Sequence, residues 1–211
     1  MSSQPKISAD KFDLVKHLYF EKMYCVREVA EHLKVSADAV ESFMRRHKIP
    51  KRSYSESQKV KFDRKPLTFT KQKLNSSFLK EILIIGVMLY WAEGYKGKES
   101  NHTVDFANSD PSMVTLFLKF LRSVYKPDEK KMRIQLYCYS DQHVPGLINF
   151  WSKLTHIPRK QFIKPYVRSD FKEDGRKMKY GMVHVRYHDK KLLLDIKSMI
   201  ESYVRKYASV V

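Results

Sequence analysis

Apolar positions along this chain recur with a helical period in its first fifty residues and, further on, in an alternation of helical and strand periods. Phe12, Val15, Leu18 and Tyr19 make one helical stripe, with Asp10 placed to cap it. Val29, Ala30, Leu33, Val35, Val40 and Phe43 predict two more helices, over 26–33 and 37–47, the second capped by Ser36. Residues 53–75 are polar, basic and without helical period, which predicts an extended linker. Beyond them the pattern predicts a helix over 77–93, a strand near 102–107 and a helix over 111–125 with Pro111 at its first position and Ser109 or Asp110 as cap. Then come a strand at 132–139, a helix at 144–155, a strand at 161–168, a turn on Glu173-Asp174-Gly175, a strand at 180–188 and a helix at 191–207. The class expected is α+β with a mainly antiparallel sheet, divided as 1–52, a basic linker 53–76, and 77–211.

The densest apolar run is ILIIGVMLYWA, residues 82–92, interrupted only by Gly86. Its composition predicts a helix buried on all sides. It ends in Glu93, with Gly94 placed for a left-handed stop. A carboxylate at the negative end of the helix dipole is unfavourable, so a positive partner is expected there: a metal ion, a lysine or an arginine.

Composition sharpens the picture through charge. The chain of 211 residues carries a formal charge of +18 with 13% aromatic residues, which fits a globular protein with a polyanionic partner. The excess is clustered: from Arg45 to Lys80 twelve lysines and arginines stand against Glu56 and Asp63. Cys25 and Cys138 form no C-x-x-C pattern and read as reduced thiols, one on a helix and one on the inner face of a strand. The N-terminus lacks the apolar core of a secretory signal, and no run reaches the roughly 20 residues of a membrane span. A cytoplasmic protein with no membrane partner is expected, nucleoid-associated if bacterial.

Within VREVAEHLKVSADAVESFMR, small Ala30 lets two helices approach while Val35 and Val40 fill the wedge between them. The segment, with its trailing HKIPKRS, resembles the helix-turn-helix of resolvase- and transposase-type DNA-binding domains, with Lys34 in place of the usual turn glycine. Its third helix would be the groove reader. Asp38, Glu41 and Ser42 lie in its first turns and Arg45, Arg46 and His47 at its end. Lys48, Lys51 and Arg52 follow as a phosphate-gripping or minor-groove arm.

The later strands differ between their faces. One face carries Met132, Ile134, Leu136 and Cys138, with Val183 and Val185. The other carries Arg133, Gln135, Tyr137 and Tyr139, then Lys164, Tyr166 and Arg168, then His184, Arg186 and His188. No acid appears on that second face in these three strands, and basic, aromatic and amide groups together suit phosphates and base edges.

The helix ending GVMLYWAEG, and VDFANSDPSMVTLFLKFL after it, resemble the LAGLIDADG homing-endonuclease fold over about residues 77–208. The resemblance implies paired motif helices that end in acids beneath a DNA-binding saddle of β-strands. It implies Glu93 as a ligand of Mg²⁺, assisted by the carbonyl of Ala92, with Lys96 or Lys98 stabilising phosphate charge. A single motif implies a homodimer on pseudo-palindromic half-sites. Met88 stands where the family has a small glycine, Gly86 lies two residues early, and Tyr90 and Trp91 are bulky. The arrangement also resembles regulators that join a helix-turn-helix to a LAGLIDADG-like domain without cleavage. The sequence thus supports a non-enzymatic, sequence-specific protein for double-stranded DNA, with two alternatives: a Mg²⁺-dependent DNA endonuclease acting through Glu93, or an RNA binder that stacks bases on Tyr137, Tyr139 and Tyr166.

Overall fold

The computed structural model describes residues 7–95, 97, 102–169 and 178–208. The chain divides into two compact units, Met1–Pro66 and Leu67–Val211. Lys96, Lys98 and the turn expected at 173–175 lie outside the described residues.

The first unit is helical. Its first helix, α1 (Phe12–Lys16), runs on through a wider turn, His17–Glu21, and is followed by α2 (Val26–Leu33) and α3 (Ala37–Arg46). Val15, Leu18, Val29, Val40 and Phe43 are buried at their centre, as the stripe predicts. Ser36 caps α3 by accepting from the Ala39 amide. Asp10, however, lies inside a short 3-10 turn, Ala9–Lys11, and Ser8 takes the preceding cap position, so the acid does not cap α1. Cys25 is the cap residue before α2 rather than a helical residue; its backbone amide donates to Glu28. α2 stops at Lys34, which adopts φ 56° and ψ 43°, while the Val35 amide reaches back to the Ala30 carbonyl. Lysine thus occupies the left-handed position where glycine is the cheaper choice.

The expected linker is the main correction in this unit. Residues 54–64 form a helix, α4 (Tyr54–Arg64), and not an extended segment. Ser53 accepts from the Glu56 amide while Glu56 accepts from the Ser53 amide, a reciprocal capping box that starts the helix without any apolar stripe. Arg64 at the far end donates to Glu28 and to the Met23 carbonyl and lies over the Tyr24 ring. The first unit therefore extends to Pro66 rather than ending at 52.

The second unit begins with a strap. Thr70 and Gln72 amides donate to the Tyr125 and Val124 carbonyls, and Lys71 pairs with Asp195 at 2.8 Å. The elements that follow are α5 (Ser77–Glu93), β1 (Val104–Asn108), α6 (Pro111–Phe120), β2 (Met132–Tyr139), α7 (Val144–Thr155), β3 (Phe162–Arg168), β4 (Met182–Tyr187) and α8 (Lys190–Tyr207). Asp110, not Ser109, caps α6. The sheet order is β1-β4-β2-β3; β1–β4 and β4–β2 are antiparallel and β2–β3 is parallel. The class is α+β with a mainly antiparallel sheet. Its inner face, Val104, Phe106, Ile134, Leu136, Val183 and Val185, is fully buried with Phe117, Phe120, Trp151 and Ile196 from the helices.

α5 is not buried all round. Ile82, Leu83, Gly86, Val87 and Tyr90 face the core, but Ile84 is 46% exposed and Trp91 40%. Gly86 is there for the core: a Cβ on it would collide with the ring of Phe120. The helix also ends differently from the expectation. Gly94 is extended, at φ −74° and ψ 145°, and bridges antiparallel to Phe106. It is glycine because a Cβ would strike the Tyr90 carbonyl and ring.

Candidate nucleic-acid interface

In the first unit the outward face of α3 presents Asp38, Glu41, Ser42, Arg45 and Arg46, all exposed, and Lys48 follows at φ 54°. Two members of the expected arm are engaged within the unit. Lys51 pairs with Glu41 at 2.6 Å. Arg52 is a staple: its guanidinium donates to the Tyr24 carbonyl at 3.0 Å and to the Tyr19 carbonyl, and lies 4.0 Å over the Tyr19 ring. Its amide also donates to the Tyr19 hydroxyl. Arg52 thus ties the end of the first helical stretch, at Tyr19, to the segment after it, at Tyr24. Ser42, Arg45, Arg46, Lys48 and Lys51 are all exposed, Lys51 while paired with Glu41.

In the second unit the outward face of the sheet brings most of the expected residues together. Register places Arg133 beside Arg186, Gln135 beside His184, Tyr137 beside Tyr166 and Tyr139 beside Arg168. Strict alternation fails at one point. β3 bulges between its pairings with Gln135 and Tyr137, so Ile163, not Lys164, stands opposite Gln135. Lys164 contributes its carbonyl, which accepts from the Gln135 amide at 3.2 Å. Tyr137 lies between two rings, 4.6 Å from His184 and 5.1 Å from Tyr166. Arg133 turns back on the Lys130 and Met132 carbonyls, and His188 meets Thr103 at 2.7 Å.

Sequence reasoning missed one member of this face. Asp105 on β1 lies opposite Arg186, and its two oxygens meet His184 Nδ1 and Arg186 Nε, each at 2.8 Å. Burial alone would raise its carboxyl, but the hydrogen bond from His184 and the charges of His184 and Arg186 outweigh it and hold the group below the usual carboxylate range. The signal was present: Val104 and Phe106 point inward, so Asp105 between them had to point out with His184 and Arg186. The outer face is thus not free of acid, but its one described carboxylate is paired with the Arg186 guanidinium and hydrogen-bonded to His184.

Glu93 is exposed at the end of α5, and no described lysine or arginine pairs with it. Among the described residues no three His, Cys, Asp or Glu side chains converge as a metal-holding group. Mg²⁺ takes about six oxygens in a near-octahedral shell. Among the described residues, one exposed carboxylate with the Ala92 carbonyl does not make up that shell.

Comparison of the chain with protein-family models, with curated proteins and with solved structures gave no match. Among the described residues no helix is long and apolar enough to cross a membrane.

Proposed function

We propose that this protein binds double-stranded DNA in a sequence-specific manner and acts without cleaving it, as a transcriptional regulator does. In this reading α2 and α3 are a helix-turn-helix, with α3 as the groove reader and Arg45, Arg46 and Lys48 on phosphates. The sheet of the second unit is a LAGLIDADG-like saddle that adds affinity and base contacts. The observation that carries the reading is the outer sheet face, where Arg133, Gln135, Tyr137, Arg168, His184 and Arg186 share one surface and the single described acid is already paired. The tight turn at Lys34, with its left-handed residue and its closed Val35–Ala30 hydrogen bond, supports the same reading in the first unit.

The protein works in this reading as a homodimer. Ile84 and Trp91 on the exposed side of α5, with half-buried Met88 at its edge and Tyr203 and Tyr207 of α8, line an open apolar groove of about 360 Å³. In a chain of charge +18 an uncharged face lets two copies meet without strong repulsion, and two copies give two half-sites. The open face is bulky and Gly86 is turned to the core, so α5 lacks the small residues a close crossing with its twin would need. That, with the incomplete ligand set at Glu93, favours binding over cleavage.

Incubation with a plasmid library and Mg²⁺ or Mn²⁺, beside Glu93→Gln, tests the reading. Retained DNA binding with no breaks is expected. Double-strand breaks that vanish in Glu93→Gln would overturn it in favour of the endonuclease.

A further inference from the structure

We infer that Arg186 selects guanine in the major groove and that Asp105 is the residue that aims it. The inference rests on the duplex-DNA reading of the sheet face and names the base that face chooses.

A guanidinium has five N–H donors in one planar fork. In Arg186 the Nε–H donates to Asp105 Oδ2 at 2.8 Å, and Nη1 donates to Gln135 Oε1 at 2.7 Å. Contacts at two of the three nitrogens fix the plane of the group. Each anchor is itself anchored. Asp105 Oδ1 meets His184 at 2.8 Å, and the Gln135 amide donates to the Lys164 carbonyl at the β3 bulge, which leaves its oxygen turned toward Arg186. Among the described residues nothing accepts from Nη2. Three N–H donors are left over, two on Nη2 and one on Nη1, and the two anchors hold them in one set plane.

Guanine presents O6 and N7 side by side as two acceptors in the major groove. Adenine puts an amino donor beside its N7, cytosine presents an amino donor, and thymine adds a methyl group, so the same fork meets a mismatch in each. A phosphate would also accept such a fork, but a phosphate contact gains little from a fixed plane, and holding a long side chain still costs its rotamer entropy. Three residues, Asp105 from β1, Gln135 from β2 and His184 from β4, with a carbonyl from β3, fix this one arginine. That arrangement suits a partner read by angle.

The test is selection of bound duplexes from a random library by the full-length protein, by Arg186→Ala, by Arg186→Lys and by Asp105→Asn. Thermal unfolding by circular dichroism establishes that each variant is folded. Wild type is expected to fix a guanine at one position. Replacing that guanine should cost about ten- to hundred-fold in affinity. Arg186→Ala should erase the preference at that position alone, and Arg186→Lys should erase it too while keeping the salt dependence, because it keeps the charge and loses the fork. Asp105→Asn should weaken the preference without abolishing binding. If Arg186→Ala weakens every duplex alike, Arg186 is a phosphate contact and the inference falls while the DNA reading stands. If Asp105→Asn leaves the preference intact, its aiming role is overturned. If wild type binds no duplex at all, the underlying reading fails with it.

Discussion

Single residues in this protein show how a side chain's partners decide its role. Arg52 and Arg186 are both arginines in basic surroundings, yet Arg52 directs its donors at the Tyr19 and Tyr24 carbonyls, while Arg186 has no acceptor for Nη2 among the described residues. Arg52→Lys should therefore destabilise the first unit by about 2 kcal/mol, because two charge-assisted contacts to carbonyls and the Tyr19 stack go together. Calorimetry of the full chain would show it as a lower first transition, with the salt dependence of DNA binding by the folded protein unchanged. Lys34 points the other way. Its φ of 56° costs a side-chain-bearing residue about 1–2 kcal/mol, of which glycine's larger chain entropy returns part, so Lys34→Gly should raise stability by about 0.5–1 kcal/mol. Unfolding in urea would check the sign. The sequence already marked Lys34 as standing in glycine's place, but it could not mark Arg52, because a basic run looks the same whether it faces phosphate or carbonyl.

At the scale of elements, the strands and the flanking helices were legible because their apolar periods are strong. β2 and α7 fall at the residues expected, 132–139 and 144–155. α4 was not legible by period, since YSESQKVKFDR has no apolar stripe; it is made by the Ser53–Glu56 box and by Arg64. That gives a pH prediction. The Arg64 hydrogen bond, against a smaller opposing effect of burial, lowers the Glu28 carboxyl from the ordinary 4.5 to about 2. A depressed carboxylate contributes stability that is fully present above about pH 4.5 and is lost as pH falls toward 2. The pair is more than a third exposed, so solvent screening limits the gain to about 1 kcal/mol or less. Glu28→Gln should flatten that part of the acid-stability profile, read by hydrogen exchange in α4. In α5 the same scale explains the open face: composition shows that all sides are apolar, but only packing shows which side the core covers. Gly86→Ala should cost about 1–3 kcal/mol, because the fully buried Phe120 ring has nowhere to move.

For the whole molecule the governing quantity is the charge of +18. Part of it is internal, since Arg52, Arg64 and Lys71 are engaged within their own units. The rest includes exposed cations on α3 and on the outer sheet face, two surfaces that sequence patterning identified apart from Asp105 and the β3 bulge. If the protein pairs through the open face of α5 as proposed, Ile84→Glu places a charge there and should leave it monomeric in sedimentation while the monomer keeps its fold, because Ile84 is not in the core. The measurement that tests the central claim most directly is the affinity of the full chain for duplex DNA as salt is raised. With about five phosphate contacts, the logarithm of affinity should fall linearly with the logarithm of salt concentration, at a slope of about −4 or steeper. An affinity that stays level between low and physiological salt, or no binding at either, would contradict the account.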